Sequence, residues 1–168
     1  MPRLRLIFLV LVLGAWAPIG TGPGPGVGTV TKLPVPRFVT LRADTVNVRA
    51  GPGFQYPVTW IYKRVGLPVE IIGEFGAWRQ ITAPDGGTGW VHEATIRARR
   101  GFFVTAPKAA LHASPDAGSR ITAWLDQSVS GTLLACPPGD FCRVATEGAA
   151  GYLERADFWG TFPAEVVK

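Results

Sequence analysis

The chain has little with which to do covalent chemistry. Its 168 residues include two cysteines and two histidines. A zinc centre wants four protein ligands, or three and a water. His92 and His112 stand in no tight spacing to Cys136 and Cys142, so no metal is expected. No histidine follows Cys142, which excludes a cysteine nucleophile with a downstream histidine base. Serines are few and none lies in G-x-S-x-G. Carboxylates are scattered singly rather than paired for glycoside hydrolysis. The glycine-rich segments lack the Lys-Ser/Thr of a phosphate loop. No catalytic residue and no cofactor are therefore assigned, and an enzyme is not expected.

Charge is also scarce, at 17% of residues against 47% hydrophobic, which argues against a disordered chain. The formal net charge of +5 is uneven: residues 39–100 hold eight basic and five acidic side chains, residues 101–168 five and seven. A weak dipole of this kind is not a nucleic-acid footprint. Helical periodicity beyond about two turns is missing outside the N-terminus, whereas 21 glycines and 15 prolines favour short strands and turns.

Met1-Pro2-Arg3-Leu4-Arg5 is a positive start, and Leu6 to Ala17 is almost wholly apolar. These are the first two regions of a secretory signal, and the run is short of the roughly 20 residues of a membrane span. Ala15-Trp16-Ala17 has the form of a cleavage site, but Pro18 hinders cleavage there. Residues 1–20 thus read as a signal peptide or a retained anchor. The protein is expected to be exported, periplasmic or extracellular, with membrane attachment only through that segment. Residues 21–36, containing Gly22-Pro23-Gly24-Pro25-Gly26, read as a solvated linker.

Beyond the linker the sequence repeats. Val46-Asn47-Val48-Arg49 alternates like a half-buried strand and runs into Gly51-Pro52-Gly53, then Phe54-Gln55-Tyr56-Pro57. A weaker copy is Leu111-His112-Ala113-Ser114-Pro115-Asp116. At an offset of about 63 residues, Phe38-Val39-Thr40 matches Phe103-Val104-Thr105, Val69-Glu70-Ile71-Ile72 matches Thr132-Leu133-Leu134-Ala135, and Trp78-Arg79-Gln80-Ile81 matches Phe141-Cys142-Arg143-Val144. Gly89-Trp90-Val91-His92 matches Gly151-Tyr152-Leu153-Glu154. Each half is then about five short strands, enough to curl into a small, partly open barrel.

The motifs N-V-R-x-G-P-G at 47–53, V-E-I-I at 69–72, W-R-x-I at 78–81 and G-W-V at 89–91 together resemble the bacterial SH3 (SH3b) domain family. The resemblance covers roughly residues 37–163. The tail Phe158-Trp159-Gly160-Thr161-Phe162-Pro163 is similar to that of exported proteins with two such units. It implies an all-β chain of two tandem small SH3-like barrels, at 37–98 and 101–163, after an N-terminal export segment. It further implies a non-catalytic module that binds peptidoglycan or another wall component. The rival reading is an adaptor docking onto another envelope protein. The second half replaces the arginine with His112, the glycines with Ser114 and Asp116, and the tryptophan with Tyr152, which narrows a binding loop to the first.

Cys136 and Cys142 flank a predicted hairpin turn, a placement that suits a disulfide in an oxidising compartment; Gly73 and Arg79 take their places in the first half. Units of roughly 60 residues have marginal cores, so packing between the barrels is the second expected support. Asn47, Arg49, Phe54, Tyr56, Trp60, Tyr62, Trp78 and Trp90 are the candidate ligand-binding residues, with Lys63, Arg64 and Arg79 adding charge. Rings beside an arginine suit a proline-rich peptide, a wall peptide or a sugar. The competing readings are that Trp78 and Trp90 fill the barrel, and that Arg49 bonds carbonyls of its own loop. Trp124, Phe141 and Tyr152 are read as core, and both histidines as surface or turn residues.

Overall fold

The computed structural model describes residues 26–168, so the export segment 1–20 and the start of the linker lie outside the described residues. Among the described residues sixteen strands follow one another, with two single turns of 3-10 helix, at Glu93–Thr95 and Arg155–Asp157. The first two, β1 (Gly26–Val27) and β2 (Pro34–Val35), form a small hairpin. The next seven are β3 (Arg37–Leu41), β4 (Val46–Arg49), β5 (Val58–Tyr62), β6 (Pro68–Phe75), β7 (Trp78–Thr82), β8 (Thr88–His92) and β9 (Ile96–Arg97). The last seven are β10 (Gly101–Val104), β11 (Lys108–His112), β12 (Ile121–Asp126), β13 (Ser130–Ala135), β14 (Phe141–Thr146), β15 (Ala149–Glu154) and β16 (Phe158–Trp159).

Two seven-stranded sheets result, ordered β5-β4-β8-β7-β6-β3-β9 and β12-β11-β15-β14-β13-β10-β16. Moving each strand number of the first by seven gives the second, and each 3-10 turn precedes the closing strand. The chain is all-β, with two tandem small barrels. Alternation sets each core: Val46 and Val48 are buried while Asn47 is exposed, and Leu41, Val69, Ile81 and Val91 join them. Phe102, Leu111, Val144 and Leu153 fill the second barrel.

The pairing corrects the repeat at several points. Phe38 opposes Glu70 and Gly101 opposes Thr132, so Gly101, not Phe103, is the counterpart of Phe38. A bulge between Ile71 and Gly73, matched by one between Leu133 and Ala135, shifts the register. Glu74, not Gly73, therefore faces Arg79 where Cys136 faces Cys142. Each unit has seven strands rather than about five, because the connections end in the short pairs β9 and β16. Trp124 is 56% exposed, on edge strand β12, and is not core. Phe141 and Tyr152 are half-buried.

Both expected supports are present. Cys136 and Cys142 are joined, with Cα atoms 4.3 Å apart, a small loop closure that contributes roughly 2 kcal/mol. The barrels pack directly. Phe38 lies 5.2 Å from Trp159 and 4.7 Å from Phe162, and the Arg100 guanidinium sits 5.6 Å from its centroid. A Cβ on Gly101 would meet Thr40 Cγ2 at 2.8 Å and the Gly66 and Gly131 carbonyls at 3.1 and 3.2 Å. Only glycine lets the two backbones approach so closely.

Residues 26–36 are not a free linker. The hairpin tip wraps Glu74, whose side chain has no exposed surface. Its carboxylate accepts from the Val30 and Thr31 amides at 3.0 and 2.9 Å, from Thr31 Oγ1 at 2.6 Å and from Arg37 Nη2 at 2.8 Å. Burial by itself would raise its pKa; the bonds from Thr31, Arg37 and Val30 outweigh burial and hold it at about 2, against an ordinary 4.5. At the matching place in the second barrel, Cys136 exchanges backbone bonds with Val167 of the C-terminal tail.

A folded-state pKa below the unfolded one gives stabilisation that is complete above about pH 4.5 and lost as pH falls through 2. In an NMR titration the Val30 and Thr31 amides should hold their native positions well below pH 4.5 and move only as the pH nears 2. Glu74→Gln should weaken the hairpin at neutral pH, by about 2 kcal/mol. Amide shifts that instead move with a midpoint near the ordinary 4.5 would contradict the assignment.

Candidate functional site

The loop 50–57 is held from beneath by Arg49. Its Nη1 donates to the Tyr56 carbonyl at 2.7 Å and the Phe54 carbonyl at 3.2 Å, and its guanidinium lies 5.6 Å from the Phe54 centroid. The Tyr56 ring covers Gly51, where a Cβ would meet ring carbons at 2.6 Å. That contact accounts for the first glycine of Gly-Pro-Gly. Backbone bonds from Ala50 to the Pro57 carbonyl and from Tyr56 to the Gly53 carbonyl complete a stiff loop.

The loop presents Phe54, which is 71% exposed. Its ring meets Trp78 edge to face at 5.0 Å and stacks on His92 at 5.7 Å, while Trp78 and His92 are 5.4 Å apart. Trp78 is buried, so it floors this cluster. His92 Nδ1 accepts from the Ala94 amide at 3.2 Å, which orients the imidazole. Arg79 points away from it: buried, it bonds the Gly76 and Trp78 carbonyls and pairs with Glu93. It supplies no charge to a ligand.

A second cluster lies on edge strand β5. Trp60 is 59% exposed and its ring is 6.4 Å from Tyr62. The Tyr62 hydroxyl donates to Asp85 Oδ1 at 2.8 Å. Burial first, then the bond and charge of Asp85, push the phenol well above its ordinary pKa. Thr59, Trp60, Tyr62, Asp85, Gly87 and Thr88 enclose an open depression of about 310 Å³.

Of the candidates, Arg49, Phe54, Tyr56 and Trp78 come together around the loop, and Trp60 with Tyr62 around the depression. Trp90 is half-buried on β8, opposite Arg49 across the ladder. Asn47 is exposed, faces Ile61 across the ladder, and belongs to neither cluster. Sequence reasoning missed His92 and Asp85. The G-W-V-H run placed His92 two positions from Trp90, but only the strand pairing of Trp78 with His92 puts it under Phe54.

The second barrel repeats the clamp without the rings. His112 Nδ1 lies 3.3 Å from the Ser119 carbonyl, seven residues on, as Tyr56 is from Arg49. Phe141 stands 5.6 Å from His112. Counting back from Ser119 puts Ala117 at the place of Phe54 and leaves no exposed aromatic on the loop.

Residues 42–98, within the first barrel, match the family model described as bacterial SH3 domain; the second barrel lies beyond the match. No curated protein matches the chain. Among solved structures, NlpC2 and NlpC1 from Trichomonas vaginalis share 13% and 12% identity over 75% and 80% of this chain, each at a TM-score of 0.35. This chain spans about half the length of each, 48% and 49%. A TM-score of that size supports no functional argument.

Arg49→Ala should loosen the loop, costing about 1.5–3 kcal/mol for the lost charged donor. Faster amide exchange at Gly53 and Tyr56 is the measurement. Arg49→Lys should recover only part, since lysine lacks the planar fork. Phe54→Ala should leave stability nearly unchanged while altering Trp78 fluorescence.

Proposed function

We propose that the chain is a non-catalytic binding module of the bacterial cell envelope, and that its first barrel recognises peptidoglycan or another wall component. The observation that carries this reading is the Phe54 ring. It is presented on a loop stiffened by Arg49 and backed by Trp78 and His92. An ordered, exposed ring costs little entropy on binding and offers a flat apolar face to a sugar or stem peptide. The bacterial SH3 domain match at 42–98 supports a binding role. Arg49 Nη1 is engaged with the loop carbonyls, so the rings carry the recognition in this reading. The disulfide and the charged, then apolar, N-terminus support an exported location.

Docking onto another envelope protein is the second reading, and the sheet edges favour it. The edge strand β5 exposes Val58, Trp60 and Ile61, and the edge strand β12 exposes Ile121 and Trp124. Unpaired edges with apolar side chains accept an added strand.

Co-sedimentation with purified peptidoglycan separates the two. Wild type should be retained, Phe54→Ala reduced about tenfold, as loss of one stacked ring allows, and Trp124→Ala unchanged. No retention of wild type on any wall fraction would reject wall binding.

A further inference from the structure

Three arginines in four residues, Arg97-Ala98-Arg99-Arg100, form the connection between the barrels. They line a cleft of about 190 Å³ with Thr40, Val65 and Gly66 of the first barrel and Ser130, Gly131 and Thr132 of the second. No carboxylate lines it. Arg100 is neutralised by Glu165, with bonds of 2.6 and 2.9 Å, yet its Nε–H is buried and meets no acceptor among the described residues. Arg97 makes one long bond, from Nε to Thr40 Oγ1 at 3.4 Å. Among the described residues, neither Arg97 nor Arg99 has a salt-bridge partner. Two uncompensated guanidinium groups thus converge beside the hydroxyls of Thr40, Ser130 and Thr132, in a recess only large enough for a compact group.

We propose that this inter-barrel cleft is a binding site for a small oxyanion, a phosphate or carboxylate group, held by Arg97 and Arg99. Guanidinium forks match such groups in charge and geometry, and hydroxyl donors complete the shell. The site shares no residue with the Phe54 cluster and does not depend on wall binding. It also draws on both barrels, so an occupied cleft ties them together.

NMR titration of the protein with inorganic phosphate, at ionic strength fixed with chloride, tests the site. Saturable shifts should appear at Thr40, Gly66, Gly131 and Thr132. Arg97→Gln with Arg99→Gln should weaken binding about tenfold or more, as expected for loss of two charged donors. Arg99→Gln alone is the safeguard for folding, because its guanidinium makes no side-chain hydrogen bond among the described residues; it should weaken binding about threefold. Sedimentation with phosphatidylglycerol vesicles distinguishes sources: retention lost in the same variants identifies a lipid phosphate, and phosphate binding without retention identifies a free ion. Shifts no larger than those from chloride, or shifts the folded variants leave unchanged, would overturn the proposal.

Discussion

A carboxylate without exposed surface has to find all its partners inside the protein, and Glu74 organises the first barrel through that demand. It draws the 28–33 turn onto β6, takes Arg37 from the start of β3, and stands 3.9 Å from Arg79 on β7. Arg79 in turn holds the Trp78 carbonyl and Glu93. Trp78 and His92, next to Glu93, are the floor on which Phe54 rests. A chain of polar contacts therefore connects the N-terminal hairpin to the ring offered to solvent.

The second barrel meets the same demand differently. Where the first has Glu74 and Arg79, the second has a disulfide, and the terminal segment it secures is the C-terminal tail through Val167 rather than the hairpin. An ion pair needs neighbours to satisfy its remaining donors and acceptors; a disulfide does not. The covalent version leaves the surroundings free of polar obligations, and the adjoining loop is closed by His112 and its own backbone. That unit has Ala117 where Phe54 stands, and it packs Trp159 and Phe162 onto Phe38.

Much of this was legible in the chain. Alternation in Val46–Arg49 and the Gly-Pro-Gly run gave the strand and the loop, and the flanks of the hairpin turn gave the disulfide. Register was less legible, because a bulge adds a residue on one strand only and leaves no mark in composition. That is why spacing alone sets Gly73, not Glu74, against Arg79; the match of Phe38 to Phe103 rather than Gly101 follows the shared ring instead of the ladder. A large ring suggests a core, but alternation along β12 turns Leu125 inward and leaves its neighbour Trp124 on the solvent face. The hairpin at 26–36 was hidden by its Gly/Pro character, since its order comes from a glutamate more than 40 residues away. His92 became part of the site only through cross-strand pairing.

The two clusters of the first barrel and the bare loop of the second lead to one proposal: contact with the wall component is made by the first unit. Chemical-shift mapping of residues 26–168 with soluble peptidoglycan fragments tests it most directly. The account predicts shifts at Phe54, Tyr56, Trp60, the Trp78 indole and His92, with residues 113–119 silent. Shifts confined to the second barrel, or none with any fragment, would contradict it.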